Sequence, residues 1–129
     1  MGKAKPSQLS RREREMMDII YTAGQATAAE IRSGMASPPS YSAVRATLRV
    51  LEEKGHLKHR NDGPRYVYLP TVPREKASQS ALKHMMNTFF DGSAGNMMAA
   101  LLDLKNTDLS EEELERLSEM IESARSEGR

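Results

Sequence analysis

The chain has 129 residues, 29% of them charged, with a net charge of +1, nine methionines and no cysteine. That length fits one domain or a small domain with an accessory module. The absence of cysteine excludes disulfides, thiolate metal sites and a cysteine nucleophile. No run of about 20 apolar residues is present to span a membrane.

The near-neutral total conceals two unlike halves. Residues 1–70 hold 12 Lys/Arg against 7 Asp/Glu, a surplus of five positive charges. Residues 71–129 hold 7 against 11, a surplus of four negative charges. A basic half joined to an acidic one suggests a polyanion-binding unit coupled to a unit with another task.

The opening "MGKAKPSQLS" lacks the apolar core of a signal peptide, and Pro6 stands where a myristoylation signal has Ser or Thr. A cytoplasmic location is the expectation. Ser10 and Glu13 then form a capping-box pair that starts a first helix, with Met16, Met17 and Ile20 on its apolar face and Gly24 as its stop. A second pair, Thr27 and Glu30, starts a short helix carrying Ala28, Ile31 and Met35, ended by "SPPS".

"SYSAVRATLRVLEEKG", Ser40 to Gly55, reads as a third helix. Val44, Leu48 and Leu51 make an apolar stripe. Ser42, Arg45 and Arg49 fall on another side. Beyond it, "HLKHR", "NDGP" and "RYVYLP" read as strand, turn and strand, with Asp62-Gly63 as the turn. Three helices followed by a hairpin is the order of a winged helix-turn-helix.

In that arrangement the third helix enters a major groove about 12 Å wide. Ser40, as N-cap, and Tyr41 and Ser42 lie near phosphates. Arg45 is the chosen base reader, through the planar fork that matches guanine O6 and N7. Ala46 is placed to touch a thymine methyl, and Arg49 to reach a base or a phosphate. Thr27, at the start of the second helix, is counted among the candidate DNA contacts. Lys58, Arg60 and Arg65 on the hairpin are candidate phosphate contacts, which add affinity but no sequence information.

"PTVP", Pro70 to Pro73, marks a boundary between a DNA-binding unit, residues 1–73, and a helical unit, residues 74–129. In the second unit Leu82, Met85, Met86, Phe89 and Phe90 recur at helical spacing, and Asp91-Gly92-Ser93 breaks the run. Met97, Met98, Leu101, Leu102 and Leu104 follow, closed by "KNTD". A last helix opens with Ser110 and Glu113 as a capping box and Leu109 with Leu114 as a hydrophobic staple. Leu114, Leu117, Met120, Ile121 and Ala124 form its inner face. Some 55 residues in three short helices hardly bury so many large apolar side chains alone. Burial against a second copy of the chain is expected, in preference to packing back on the first half.

Other chemistries find little support. His56 and His59, three apart, fall on opposite faces of a strand, which does not suit one metal site. Methionines in helical stripes read as adaptable core filler. Glu111, Glu112 and Glu113 sit where a helix dipole favours negative charge. No catalytic set stands out, and no cofactor or metal is expected. A second class of function stays open at this point: a winged helix that binds another protein without specific DNA binding.

Several segments together resemble the penicillinase-repressor family, winged-helix regulators that include the methicillin-resistance repressor. They are "LSRREREMMDIIY", "TAAEI", "SYSAVRATLRVLEEKGHLKH", "GPRYVYLP", "FFDGS" and "DLSEEELERLSEMI". The resemblance implies a homodimer that binds a palindromic double-stranded operator through its first unit and dimerises through its second. It also implies release by a sensor-linked protease that cuts within the middle helix of the second unit. The family's scissile Asn-Phe pair aligns near Ala100-Leu101. Ser42-Ala43 stand where the family often has Lys-Thr, so its operator sequence does not transfer directly.

Overall fold

In a computed structural model the described residues are mostly helical, with one small sheet among them. Residues 9–104 and 108–128 are described. The first eight residues, with the expected absence of a targeting signal, lie outside them, as do Lys105, Asn106 and Thr107 of "KNTD".

Helix α1, Arg11–Ala23, begins where expected. The Ser10 hydroxyl accepts from the Glu13 amide and the Glu13 carboxylate accepts from the Ser10 amide at 2.8 Å. Gly24 ends it at φ +90, a conformation in which a Cβ would be strained. Strand β1 is only Ala26–Thr27. Helix α2, Ala28–Gly34, repeats the capping device with Thr27 and Glu30. Met35, assigned to this helix from sequence, is its extended C-cap and is buried. Helix α3, Tyr41–Glu53, follows.

Strands β2, Leu57–Asp62, and β3, Arg65–Pro70, form the hairpin. Asp62 pairs with Arg65, so the turn residues are Gly63 and Pro64 rather than Asp62 and Gly63. Gly63 has φ +62 and Pro64 holds a negative φ, which fits a type II′ turn and excludes type I′. β1 adds to the far edge of β3, giving a three-stranded antiparallel sheet in the order β1-β3-β2. This edge strand was not foreseen, because two residues carry no periodic signal.

The core of this unit is Met16, Ile20, Ile31, Val44, Leu48 and Leu51, all with no measurable exposure, closed by Leu57 and Tyr68 from the hairpin. One charge is buried with it. The Glu13 carboxylate, besides capping α1, accepts two hydrogen bonds from Lys54 Nζ at 2.9 and 3.1 Å. Burial pushes its pKa up. The bonds from Lys54 and Ser10 and the Lys54 charge outweigh that and hold it below its usual range.

Helices α4, Arg74–Phe89, α5, Ala94–Leu102, and α6, Glu111–Ser126, complete the chain. The chain divides into two compact units between Ser80 and Ala81, inside α4, rather than at Pro73. Contacts between α1 and the start of α4 account for this. The Tyr21 hydroxyl donates to the Val72 carbonyl at 2.9 Å, and the Arg74 guanidinium donates to the Tyr21 and Thr22 carbonyls, so the start of α4 is tied to α1. α4 stops at Asp91 and Gly92, both in the left-handed region. α5 ends at Leu102, so Leu104 lies beyond it. α6 opens with the Ser110–Glu113 capping box.

His56 yields a pH prediction. Its Nε2 is buried and meets no hydrogen-bond partner. Burial lowers its pKa from 6.5, the Lys54 charge adds to the effect, and the Glu13 carboxylate opposes it. The unfolded chain therefore takes up a proton that the folded one resists, and this contribution to stability is lost as pH falls. Urea denaturation at a series of pH values should show the wild type losing stability relative to His56→Phe as pH drops below about 6.5. A further loss, common to both proteins, is expected through and below about 4.5 as Glu13 protonates.

Candidate nucleic-acid interface

The start of the third helix is set in place by two contacts. The Ser40 hydroxyl accepts from the Ala43 amide at 3.2 Å and caps it. Arg32 of α2 donates from Nε to the Pro39 carbonyl at 2.6 Å and holds the turn that leads into it. Its rotation is fixed by Val44, Leu48 and Leu51, which are wholly buried.

At about 100° per residue, that stripe puts Ser42, Ala46 and Arg49 on the opposite, outward side. Arg45 falls on one flank, and its Cζ lies 5.8 Å from the centre of the Tyr66 ring on the hairpin. Thr47 and Val50 fall on the other flank, where they share a shallow groove with Arg11 and Arg12 of α1. Tyr41, Ser42, Arg45, Ala46 and Arg49 are all exposed.

The hairpin has two chemically distinct faces. Its register places Lys58, Arg60 and Arg65 on one of them. His59, Tyr66 and Tyr68 share the other. On that side His59 stacks on Tyr66 with ring centres 4.0 Å apart and planes 11° from parallel. His59 Nδ1 is 2.7 Å from a carboxylate oxygen of Glu52 on α3. Arg65 pairs with Asp62 at 3.1 Å, with both side chains more than half exposed, so the pair adds about 0–1 kcal/mol and partly offsets one of the three cations.

One expected contact does not fit. Thr27 is 8% exposed, and its hydroxyl accepts from the Glu30 amide and faces the Glu30 carboxylate at 3.2 Å. It belongs to the cap of α2, not to the outward surface. Glu52, His59 and Tyr66 are the residues that sequence reasoning missed. For the two on the hairpin the one legible signal was parity: a two-residue turn that includes Gly63 puts His59 and Tyr66 on the same face.

The family model for the penicillinase repressor matches residues 9–123. The chain belongs to the penicillinase-repressor family. Similar proteins include the penicillinase repressor of Bacillus licheniformis, 26% identical over 117 residues that cover 89% of this chain and 90% of that one. An uncharacterized 16.5 kDa protein of Latilactobacillus sakei is 25% identical over 89% of this chain and 79% of its own. Among solved structures, the DNA-binding domain of the repressor BlaI matches at 28% identity and TM-score 0.48, covering 54% of this chain and 87% of that domain. BpsR of Bordetella bronchiseptica matches at 12% identity and TM-score 0.48, over 96% and 80% of the two chains. The family is one of DNA-binding transcriptional repressors rather than enzymes.

The burial of Thr27 gives a direct test of its role. Thr27→Ala should cost about 1 kcal/mol of stability, as loss of an N-cap does, read by thermal melting. The folded variant should bind DNA as tightly as the wild type. A loss of affinity in fully folded protein would return Thr27 to the contact surface.

Proposed function

We propose that this chain is a repressor that binds a palindromic operator as a homodimer, with α3 of each copy in a major groove. The observation that carries the reading is the exposed, arginine-bearing side of α3. Turned away from the core, it presents Ser42, Ala46 and Arg49 with Arg45 beside them, while the exposed cations Lys58, Arg60 and Arg65 stand on the hairpin face opposite the one turned to α3. Side chains at the start of a helix in the major groove reach base edges, while flanking cations grip phosphates. Ser40 and Tyr41, at the N-terminus of α3, lie where free backbone amides favour a phosphate.

Dimerisation through α4 to α6 rests on what those helices leave uncovered. None of their described residues is buried. Leu82, Met85, Met98, Leu101, Leu102, Leu114, Leu117 and Ile121 are exposed, and Phe89 is 73% exposed. Met86, Phe90 and Met97 are half-buried. So much apolar surface on about 50 residues supports an obligate interface between copies. Two copies set the half-sites one helical turn, about 10–10.5 bp, or a multiple apart. Ala100-Leu101 occupy the place of the family's cut pair, so release by a sensor-linked protease at that position calls for a specificity other than the family's.

Three outcomes test the proposal. On duplexes selected from a random pool, Arg45→Ala should cost roughly 1–3 kcal/mol of discrimination at one operator position. Equal loss on all sequences would make Arg45 a phosphate clamp. Lys58→Ala or Arg60→Ala should weaken binding on every duplex alike and reduce the dependence of log affinity on log salt by about one. No DNA shift even at low salt would favour a protein-binding module instead. Phe89→Asp with Met98→Asp should sediment as a monomer with weakened operator binding, and persistent dimers would overturn the assignment of the tail.

A further inference from the structure

The face of the hairpin turned to α3 carries an array that phosphate gripping does not require. It runs from Glu52 on α3 to His59 on β2 at 2.7 Å, from His59 to Tyr66 on β3 at 4.0 Å between ring centres, and from Tyr66 back to Arg45 on α3 at 5.8 Å. Tyr68 closes it from below, its ring edge-on to Tyr66 at 6.2 Å and tilted against His59 at 5.9 Å. Burial raises the pKa of Tyr68, and the Arg45 guanidinium pulls it the other way. Glu52 and Arg45 lie seven residues apart, two turns of one helix, so the array is a closed loop that begins and ends on α3.

We propose that Tyr66, held by His59 and Glu52, is the positioning residue that aims the Arg45 guanidinium, so that the wing contributes to sequence discrimination and not to affinity alone. This rests on the DNA-binding reading given above. The chemistry of the two contacts is compatible. An aromatic ring takes the flat face of a guanidinium, within the distance at which the ring quadrupole attracts a cation. The five N–H donors of the guanidinium lie in its plane and point outward from its edge. A guanidinium held over the Tyr66 ring by its face therefore keeps its edge free for paired bonds to guanine O6 and N7. It also removes rotamers that an unsupported arginine would have to give up on binding. Among the described residues no ring lies against Arg49, on the outward side, which serves as the contrast.

The test uses the full-length protein and duplexes that the wild type selects from a random pool, each compared with its single-base-pair variants. Tyr66→Leu should reduce the affinity ratio at the position read by Arg45 by about two- to fivefold, the size of a cation–π contact at an exposed site. Tyr66→Phe, which keeps the ring, should restore the ratio. In an Arg45→Ala background, Tyr66→Leu should change the ratio no further, since the two residues act as one unit. A ratio untouched by Tyr66→Leu, or a change simply additive with Arg45→Ala, would overturn the proposal. A readout without DNA separates it from the functional reading. In the free protein the Arg45 side-chain protons should be shifted upfield by the Tyr66 ring and lose that shift in folded Tyr66→Leu. Stacking without any sequence preference in the wild type would overturn the DNA-binding reading and this inference with it. Sequence preference without stacking would overturn this inference alone.

Discussion

Everything the first unit offers to a partner depends on the seat of α3. Val44, Leu48 and Leu51 pack on Met16 and Ile20 of α1 and Ile31 of α2 with no exposure left. Burying side chains of this size is worth about 1.5–3 kcal/mol each. A close-packed interior admits no partial rotation of the helix that carries them. A turn of α3 by one residue, about 100°, would expose the stripe and bury an arginine. The apolar stripe thus decides which polar residues face outward, although it touches no ligand itself.

What was legible in the chain followed from local chemistry. The caps at Ser10, Thr27, Ser40 and Ser110, and the stops at Gly24 and Gly55, each rest on residues within a few positions of one another. The same is true of the apolar stripes. What escaped depended on contacts distant in sequence. β1 has two residues and exists because β3 lies beside it. The second unit was expected from Arg74, but the hydrogen bonds of Tyr21 and Arg74 hold the start of α4 to α1. The turn was placed one residue early because Asp-Gly is a strong type I′ signal, whereas Gly63-Pro64 suits only the other primed turn.

Of the candidate interface, the outward residues of α3 and the cations of the hairpin were read from pattern, and all of them are exposed. Thr27 was misplaced by its residue type: a threonine at a helix start serves equally well as a cap or as a phosphate contact, and only burial separates the two. The aromatic array was out of reach, since it needs the register of the hairpin and the angle of the helix together. Histidines considered as metal ligands found other uses. His59 lies between a carboxylate and a ring, and His56 feels the charges of both Glu13 and Lys54.

Glu13 has a consequence for how this sequence can vary. In an ordinary ion pair the two signs are interchangeable, and a lysine facing a glutamate does the work of a glutamate facing a lysine. Here the carboxylate also accepts from the Ser10 amide, which an ammonium group cannot do. Exchanging Glu13 and Lys54 would keep the attraction and lose the cap, leaving a helix start unsatisfied beside the core. The pair is polarised in sequence. Its acid is bound to the start of α1, its base to the end of α3, and any drift at one position is constrained by two neighbours rather than one.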